Sequence, residues 1–162
     1  NVLKEGEVGE VVIKSPANMV GYWKNPEATA EVFNDDGWFK SGDLGFFDGP
    51  FLHIVDRLKD LVIRGGENIS CIEVEAAIYE HSDVLEACII GVPDERLGEQ
   101  VASAIYLKPG VELTQENIQD FLHGKIAKFK IPFEIRFYKE PLPKIASGKF
   151  DKPKLRKIFA DN

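Results

Sequence analysis

Three short stretches of the sequence carry residue types that can act on a charged or hydroxylated small molecule. Ser41-Gly42-Asp43 delivers a carboxylate from a tight turn, and a carboxylate held in this way can accept two hydrogen bonds from a vicinal diol such as a ribose. Asp43 can equally satisfy the backbone donors of its own turn, as Asp commonly does. In Asp56-Arg57-Leu58-Lys59-Asp60, followed by Gly65-Gly66, the planar fork of Arg57 can grip a ribose or phosphate oxygen, and paired glycines let a thin ligand approach the backbone. By charge pattern alone the same run is a solvated linker followed by turn glycines. Lys149, in Ser147-Gly148-Lys149 with Lys144, Lys152 and Lys154 nearby, can act as a point charge on a phosphate or carboxylate, or can be one more solvated lysine. It does not sit in a Walker phosphate loop, because Pro143 stands where the first glycine is required and Phe150 where Ser or Thr is required.

Other chemistries find less support. His53, His81 and His123 are too scattered for metal ligation, so no metal site is expected, and no Ser/His/Asp order can be defended. Cys71 and Cys88 lack metal-ligand spacing and sit in apolar contexts, which predicts two buried thiols. Trp23 and Trp38 are expected to pack rather than to stack on nucleobases.

The elements that must position these residues follow from periodicity and punctuation. The alternating stretch Glu10–Lys14 predicts a strand that reads like an edge or hairpin cut from a larger sheet. Asn25-Pro26 opens a short helix to Phe33, and Leu44–Phe47 with Phe51–Val55 flanks a turn at Asp48-Gly49-Pro50, predicting a hairpin. The charged break at Asp56–Asp60 is the expected domain boundary. Beyond it the pattern predicts a short strand ended by Gly65-Gly66, a helix from Ser70 or Cys71 to His81, strands over Val84–Val92 and Gln100–Leu107, and a helix capped by Thr114 and running to about Ala127. A strand over Phe133–Tyr138, a long loop from Pro141 to Lys149 and a short basic helix to Phe159 complete the chain. The order βαββαβ-loop-α predicts a compact α+β domain of roughly 100 residues.

Composition bounds the function. The chain has 162 residues, 44% hydrophobic and 29% charged, enough for a core and against wholesale disorder. A net charge of -7 argues against nonspecific nucleic-acid binding, which rests on neutralising phosphates with Lys and Arg. No apolar run approaches the roughly 18 residues of a membrane span and no secretory signal is legible, so the expected location is cytoplasmic.

Taken in order, Gly21-Tyr22-Trp23-Lys24-Asn25-Pro26-Glu27-Ala28-Thr29, Trp38-Phe39-Lys40-Ser41-Gly42-Asp43, Asp56-Arg57-Leu58-Lys59-Asp60, Gly65-Gly66-Glu67-Asn68-Ile69 and Pro143-Lys144-Ile145-Ala146-Ser147-Gly148-Lys149 resemble the adenylate-forming (AMP-dependent synthetase and ligase) superfamily. That family includes acyl-CoA synthetases, luciferase and peptide-synthetase adenylation domains. The resemblance covers essentially the whole chain and is most like an acyl-CoA synthetase for fatty or aryl acids. It implies that residues 1–57 are the terminal β-rich part of a large N-terminal domain. Residues 58–162 would be the mobile C-terminal domain, a small mixed α/β unit with helices around a central three-stranded sheet.

The resemblance further implies an intact enzyme that uses ATP and Mg²⁺ to convert a carboxylic acid to an acyl-adenylate and then passes the acyl group to coenzyme A. The phosphate loop and acyl pocket of the family are absent from these residues, so the fragment alone is expected to be inactive and to bind no cofactor. Carried onto matching positions, Lys149 is the catalytic lysine of adenylation, Asp43 and Arg57 hold ATP or AMP, Lys59 is the hinge, and Gly65 and Gly66 border the CoA path. Asp56 stands where many members have Gly, and His123-Gly124 stands where many CoA ligases have a basic residue and an acid. Lys125, Lys128 and Lys130 are the candidates to compensate there. The alternatives are an adenylation domain loading a carrier-protein thiol and a noncatalytic binding module of the same fold. The expected partners are the missing N-terminal domain, ATP, CoA and a small carboxylic acid. The apolar runs Trp38–Phe47 and Phe51–Val55 are expected to need covering, by a homodimer or by strand exchange if by nothing else.

Overall fold

The computed structural model describes residues 2–161, which divide into two compact units that meet between Lys59 and Asp60. In the first unit, β1 (Gly9–Ile13), β2 (Phe39–Asp48) and β3 (Phe51–Arg57) form an antiparallel sheet in the order β1-β2-β3. Helix α1 (Pro26–Val32) starts where the sequence signals it, with Pro26 in the first turn and the Asn25 side chain accepting from Ala28 N at 3.1 Å. Among its described residues only Gly45 and Asp56 are buried. The expectation that the tryptophans pack is not met within the unit: Trp23 is 88% exposed and Trp38 39%. Among the described residues of this unit no hydrophobic side chain is buried, so no apolar layer receives them.

The β2–β3 hairpin contains one irregularity that matters for the site. From the turn back to Gly45 the register is regular, with Gly45 opposite Ile54, but it then shifts so that Leu44 faces Asp56 and Asp43 faces Arg57. Without the extra residue Asp43 would face Asp56, carboxylate against carboxylate. Gly45 sits at this bulge because a Cβ there would lie 2.6 Å from the His53 carbonyl oxygen.

The second unit is α+β. The expected central strands are β6 (Val84–Asp94), β7 (Gly98–Leu107) and β8 (Glu134–Tyr138), with β6 antiparallel and β8 parallel to β7. A short hairpin, β4 (Val62–Arg64) and β5 (Glu67–Ile69), widens the sheet to five strands by pairing Arg64 with Gly98 of β7. The first is the short strand that the sequence ends at Gly65-Gly66; the second, with three residues, is too short for alternation to reveal it.

Alternate residues of β6 and β7 feed two cores. Ala87, Ile89, Val101 and Ile105 pack with α2 (Cys71–Tyr79) and α3 (Gln115–Leu122) through Val74, Ile78, Ile118 and Leu122. Cys88, Ile90, Ala102 and Ala104 pack with α4 (Lys152–Ala160) through Leu155 and Phe159. Both faces of these strands are therefore covered, which is why their sequences read as continuous apolar runs. Ser70, Thr114 and Asp151 cap the three helices, each cap worth about 1 kcal/mol. Helix α3 stops at Leu122, short of the expected Ala127, because the backbone of His123 is extended (φ −59°, ψ 127°). Ile126 nevertheless packs on the same core, which accounts for the apparent continuation of the stripe.

The last helix is fastened to the first residues of its own unit. Arg156 Nη2 lies 3.8 Å from Asp60 Oδ1, and Lys152 Nζ lies 3.5 Å from Glu75 Oε1, with both lysine and glutamate largely buried. The Cys71 thiol donates to the Asp60 carbonyl oxygen at 2.8 Å. Among the described residues no helix is long and apolar enough to cross a membrane.

Candidate functional site

Lys149 stands at the end of a loop that is folded on itself. Ile145 N donates to Lys149 O and Gly148 N to Ile145 O, both at 2.9 Å, while Asp151 N donates to Pro143 O at 2.8 Å and closes the base. Leu142, 2% exposed, buries the loop's start, and the Asp151 side chain caps α4 at its end. The loop tip, Ile145 to Lys149, is exposed. Two of the neighbouring lysines are committed elsewhere: Lys144 Nζ donates to Glu86 Oε1 at 2.6 Å and Lys152 faces Glu75. Among the described residues the Lys149 ammonium has no ion-pair or hydrogen-bond partner.

Asp43 and Arg57 are brought together by the register shift in β2–β3. Arg57 Nε donates to Asp43 Oδ1 at 3.0 Å, with both side chains about two-fifths exposed (43% and 36%). Their contact uses one oxygen and one nitrogen, so the second carboxylate oxygen and the two terminal guanidinium nitrogens keep hydrogen-bonding capacity for a ligand. Ser41 supports the strand beneath, its hydroxyl donating to Val11 O at 2.7 Å and accepting from Asp43 N at 3.0 Å. Asp56, expected in a solvated break, is 1% exposed and accepts from Arg57 N at 2.7 Å. The charged break therefore begins with a strand end that is partly inside, and Lys59 follows it in an exposed 3₁₀ turn over Leu58–Asp60.

Gly65 and Gly66 form the two-residue turn of the β4–β5 hairpin, with φ values of 59° and 90°. Both positive angles are those of a type I′ turn, the form whose twist suits a tight hairpin. Gly65 N donates to Leu97 O at 2.8 Å, and the space around a Cβ on Gly66 is open. Asp94 organises the adjoining turn by accepting from Leu97 N and Arg96 N, and these bonds, the one from Leu97 foremost, hold its carboxyl below the usual range. The two loops bearing Lys149 and Gly65-Gly66 belong to different ends of the second unit's chain path, and no hydrogen bond or ion pair joins them among the described residues.

Two of the three lysines considered near His123 are already engaged with α2. Lys125 pairs with Glu80 at 2.5 Å and Lys130 with Glu73 at 2.6 Å. Neither cysteine forms a disulfide and both are buried, and burial pushes the Cys88 thiol up to about 12. His53 stacks on Phe46 and His81 packs edge-on against Phe121, which gives these rings packing roles. Among the described residues no group of three or more His, Cys, Asp or Glu side chains is arranged to hold a metal ion.

Glu86 escaped the reading of the sequence. It lies in an apolar strand, far along the chain from the loop that it contacts, and no spacing rule connects the two.

A five-stranded sheet with two helices on one face and one on the other, carrying an exposed lysine loop just before the last helix, defines a small α+β domain. Residues 73–149 match the AMP-binding enzyme C-terminal domain. Among curated relatives the chain is 44% identical over 145 residues to an oxalate–CoA ligase of Arabidopsis thaliana, covering 89% of this chain and 28% of that protein. It is 42% identical over 157 residues to a long-chain-fatty-acid–CoA ligase of Bacillus subtilis, covering 96% and 28%. Among solved structures, ATP-bound MatB from Rhodopseudomonas palustris aligns with a TM-score of 0.90 at 38% identity, over 98% of this chain and 32% of the other. The chain belongs to the adenylate-forming, AMP-binding family and carries its C-terminal domain, most like that of the acyl-CoA ligases. It spans about a third or less of the length of these relatives.

Proposed function

We propose that this chain is the C-terminal portion of an ATP-dependent acid–thiol ligase, an acyl-CoA synthetase acting on a fatty or aryl acid. In the first half-reaction a carboxylate oxygen attacks the α-phosphorus of ATP, forming the acyl-adenylate and releasing pyrophosphate. In the second, the CoA sulfur attacks the acyl carbon, forming the thioester and releasing AMP. The observation that carries the reading is the unpartnered Lys149 ammonium at the tip of a closed, exposed loop beside Lys144 and Lys152, which are paired with Glu86 and Glu75. A positive charge held there offsets the repulsion between two anions as they approach.

Asp43 accepts from the ribose hydroxyls in this reading, and Arg57 both fixes that carboxylate and reaches a ribose or phosphate oxygen. Lys59, in its exposed turn, is the pivot between residues 1–57, the end of the large N-terminal domain, and residues 58–162, the mobile domain. The Gly65-Gly66 turn borders the path of the pantetheine arm. Among the described residues no ligand set for Mg²⁺ is assembled. The exposed apolar residues of the first unit, Trp23 and Phe51 among them, are covered in this reading by the rest of the N-terminal domain, and the 162 residues alone are inactive.

The test uses the intact enzyme. Lys149→Ala should lower ATP–pyrophosphate exchange by about 10²–10³-fold, the range for removing one preorganised charge or donor, while thioester formation from preformed acyl-adenylate persists. Indifference of exchange to this substitution with every acid tried would sink the assignment. Transfer to a carrier-protein thiol but not to free CoA would instead establish the adenylation-domain alternative.

A further inference from the structure

Glu86 is the residue on which the Lys149 loop is hung. It lies on β6 on the same face as Cys88 and Ile90, the face against which α4 and Leu142 pack. Its side chain is only 17% exposed, and each carboxylate oxygen takes one bond from the loop. Oε2 accepts from Leu142 N at 2.7 Å and Oε1 from Lys144 Nζ at 2.6 Å. The first bond fixes the backbone where the loop leaves the core. The second holds Lys144 against the sheet, with its ammonium 5.6 Å from the centre of the Phe150 ring.

We propose that Glu86 is a positioning residue for adenylation, setting the place of Lys149 through the loop's anchored start. This rests on the reading of Lys149 given above. The loop closes on itself at Pro143–Asp151 and its far end is fixed by the cap on α4. Its remaining freedom is therefore a swing about the Leu142 side, which the Glu86 carboxylate stops with two charge-assisted bonds. Glu86 also draws Lys144 away, so a single unpaired ammonium, that of Lys149, is presented at the tip. A lysine displaced by about 1 Å from its productive position costs on the order of a hundredfold in rate.

The experiment compares Glu86→Ala, Glu86→Gln and Lys149→Ala in the intact enzyme, in ATP–pyrophosphate exchange and in thioester formation from preformed acyl-adenylate. Hydrogen exchange of the Leu142 amide and of the β6–β7 core amides is followed in the same variants. The expected result is a loss of exchange activity of roughly tenfold to a hundredfold in Glu86→Ala, with the thioester step retained, the Leu142 amide deprotected and the core amides unchanged. Glu86→Gln keeps an acceptor for Leu142 N and should recover part of the loss, and it remains informative if the alanine variant fails to fold. Full exchange activity in Glu86→Ala beside a collapsed Lys149→Ala overturns the positioning role while leaving the function of Lys149 standing. Equal loss in both half-reactions also overturns it, because a general structural defect would act on both. If Lys149→Ala itself leaves exchange intact, the function assigned to the lysine falls and the positioning role falls with it.

Discussion

Gly66→Ala isolates what the paired glycines do for the fold from what they do for a ligand. At φ 90° an L-residue is strained, whereas the space around the added methyl is open, with nothing within 4 Å. The cost is therefore backbone cost alone, about 1–2 kcal/mol for a non-glycine residue in the left-handed region. Gly65 is different in kind: at φ 59° it occupies the first central position of the turn, which Asn tolerates, although a Cβ there comes within 3.1 Å of the flexible end of Leu97. Urea unfolding of the second unit should show Gly66→Ala shifting the midpoint downward by roughly 0.3–2 M at an unchanged slope of about 1–3 kcal/mol/M. Gly65→Asn should move it much less. An unmoved midpoint in Gly66→Ala would refute the argument that the turn requires its positive φ. A thioester defect in Gly65→Asn far beyond its small loss of stability would locate a ligand at the turn.

The Asp43–Arg57 pair should matter far more to nucleotide affinity than to folding. An exposed ion pair contributes about 0–1 kcal/mol, so Asp43→Asn should barely move the melting temperature while raising the KM for ATP in the intact enzyme; an unchanged KM would remove Asp43 from the nucleotide site. Cys88 should resist alkylation at pH 8 in the folded chain and react once urea opens it. With its ordinary value of 9.0 raised to about 12 by burial, its contribution to stability is complete below pH 9 and is lost between about pH 9 and pH 12, as the unfolded thiol ionises first. A midpoint insensitive to Cys88→Ala across that pH window would contradict the burial.

Much of the architecture was legible because periodicity reports burial. Val84–Val92 and Gln100–Leu107 read as strands through their β-branched runs, and Asn25 and Thr114 mark helix starts by chemistry local to each residue. What could not be read was set by partners distant in sequence. The bulge that turns Asp43 from facing Asp56 to facing Arg57 follows from a close approach of Gly45 to the His53 backbone. Gly65-Gly66 showed in the sequence as the end of a short strand, but the three-residue strand after it had too few residues to declare itself. Glu86 was hidden for the opposite reason: a lone acid in an apolar strand has no meaning until Leu142 and Lys144 arrive beside it. The charges of Lys125 and Lys130 were visible, whereas their neutralisation by Glu80 and Glu73 was not.

The contact between Arg156 and Asp60 brings the last helix of the second unit to the residue with which that unit begins. Chain termini that lie near each other make a unit insertable, since a host protein needs only two adjacent points of attachment. They also make it permutable: a short linker from the end of α4 back to Asp60 would close the backbone into a ring, and the exposed turn at Pro109-Gly110 offers a place to reopen it. The order of elements along the chain is thus one of several that the same core would accept, and recombination can exchange this unit as a cassette without recutting its interior.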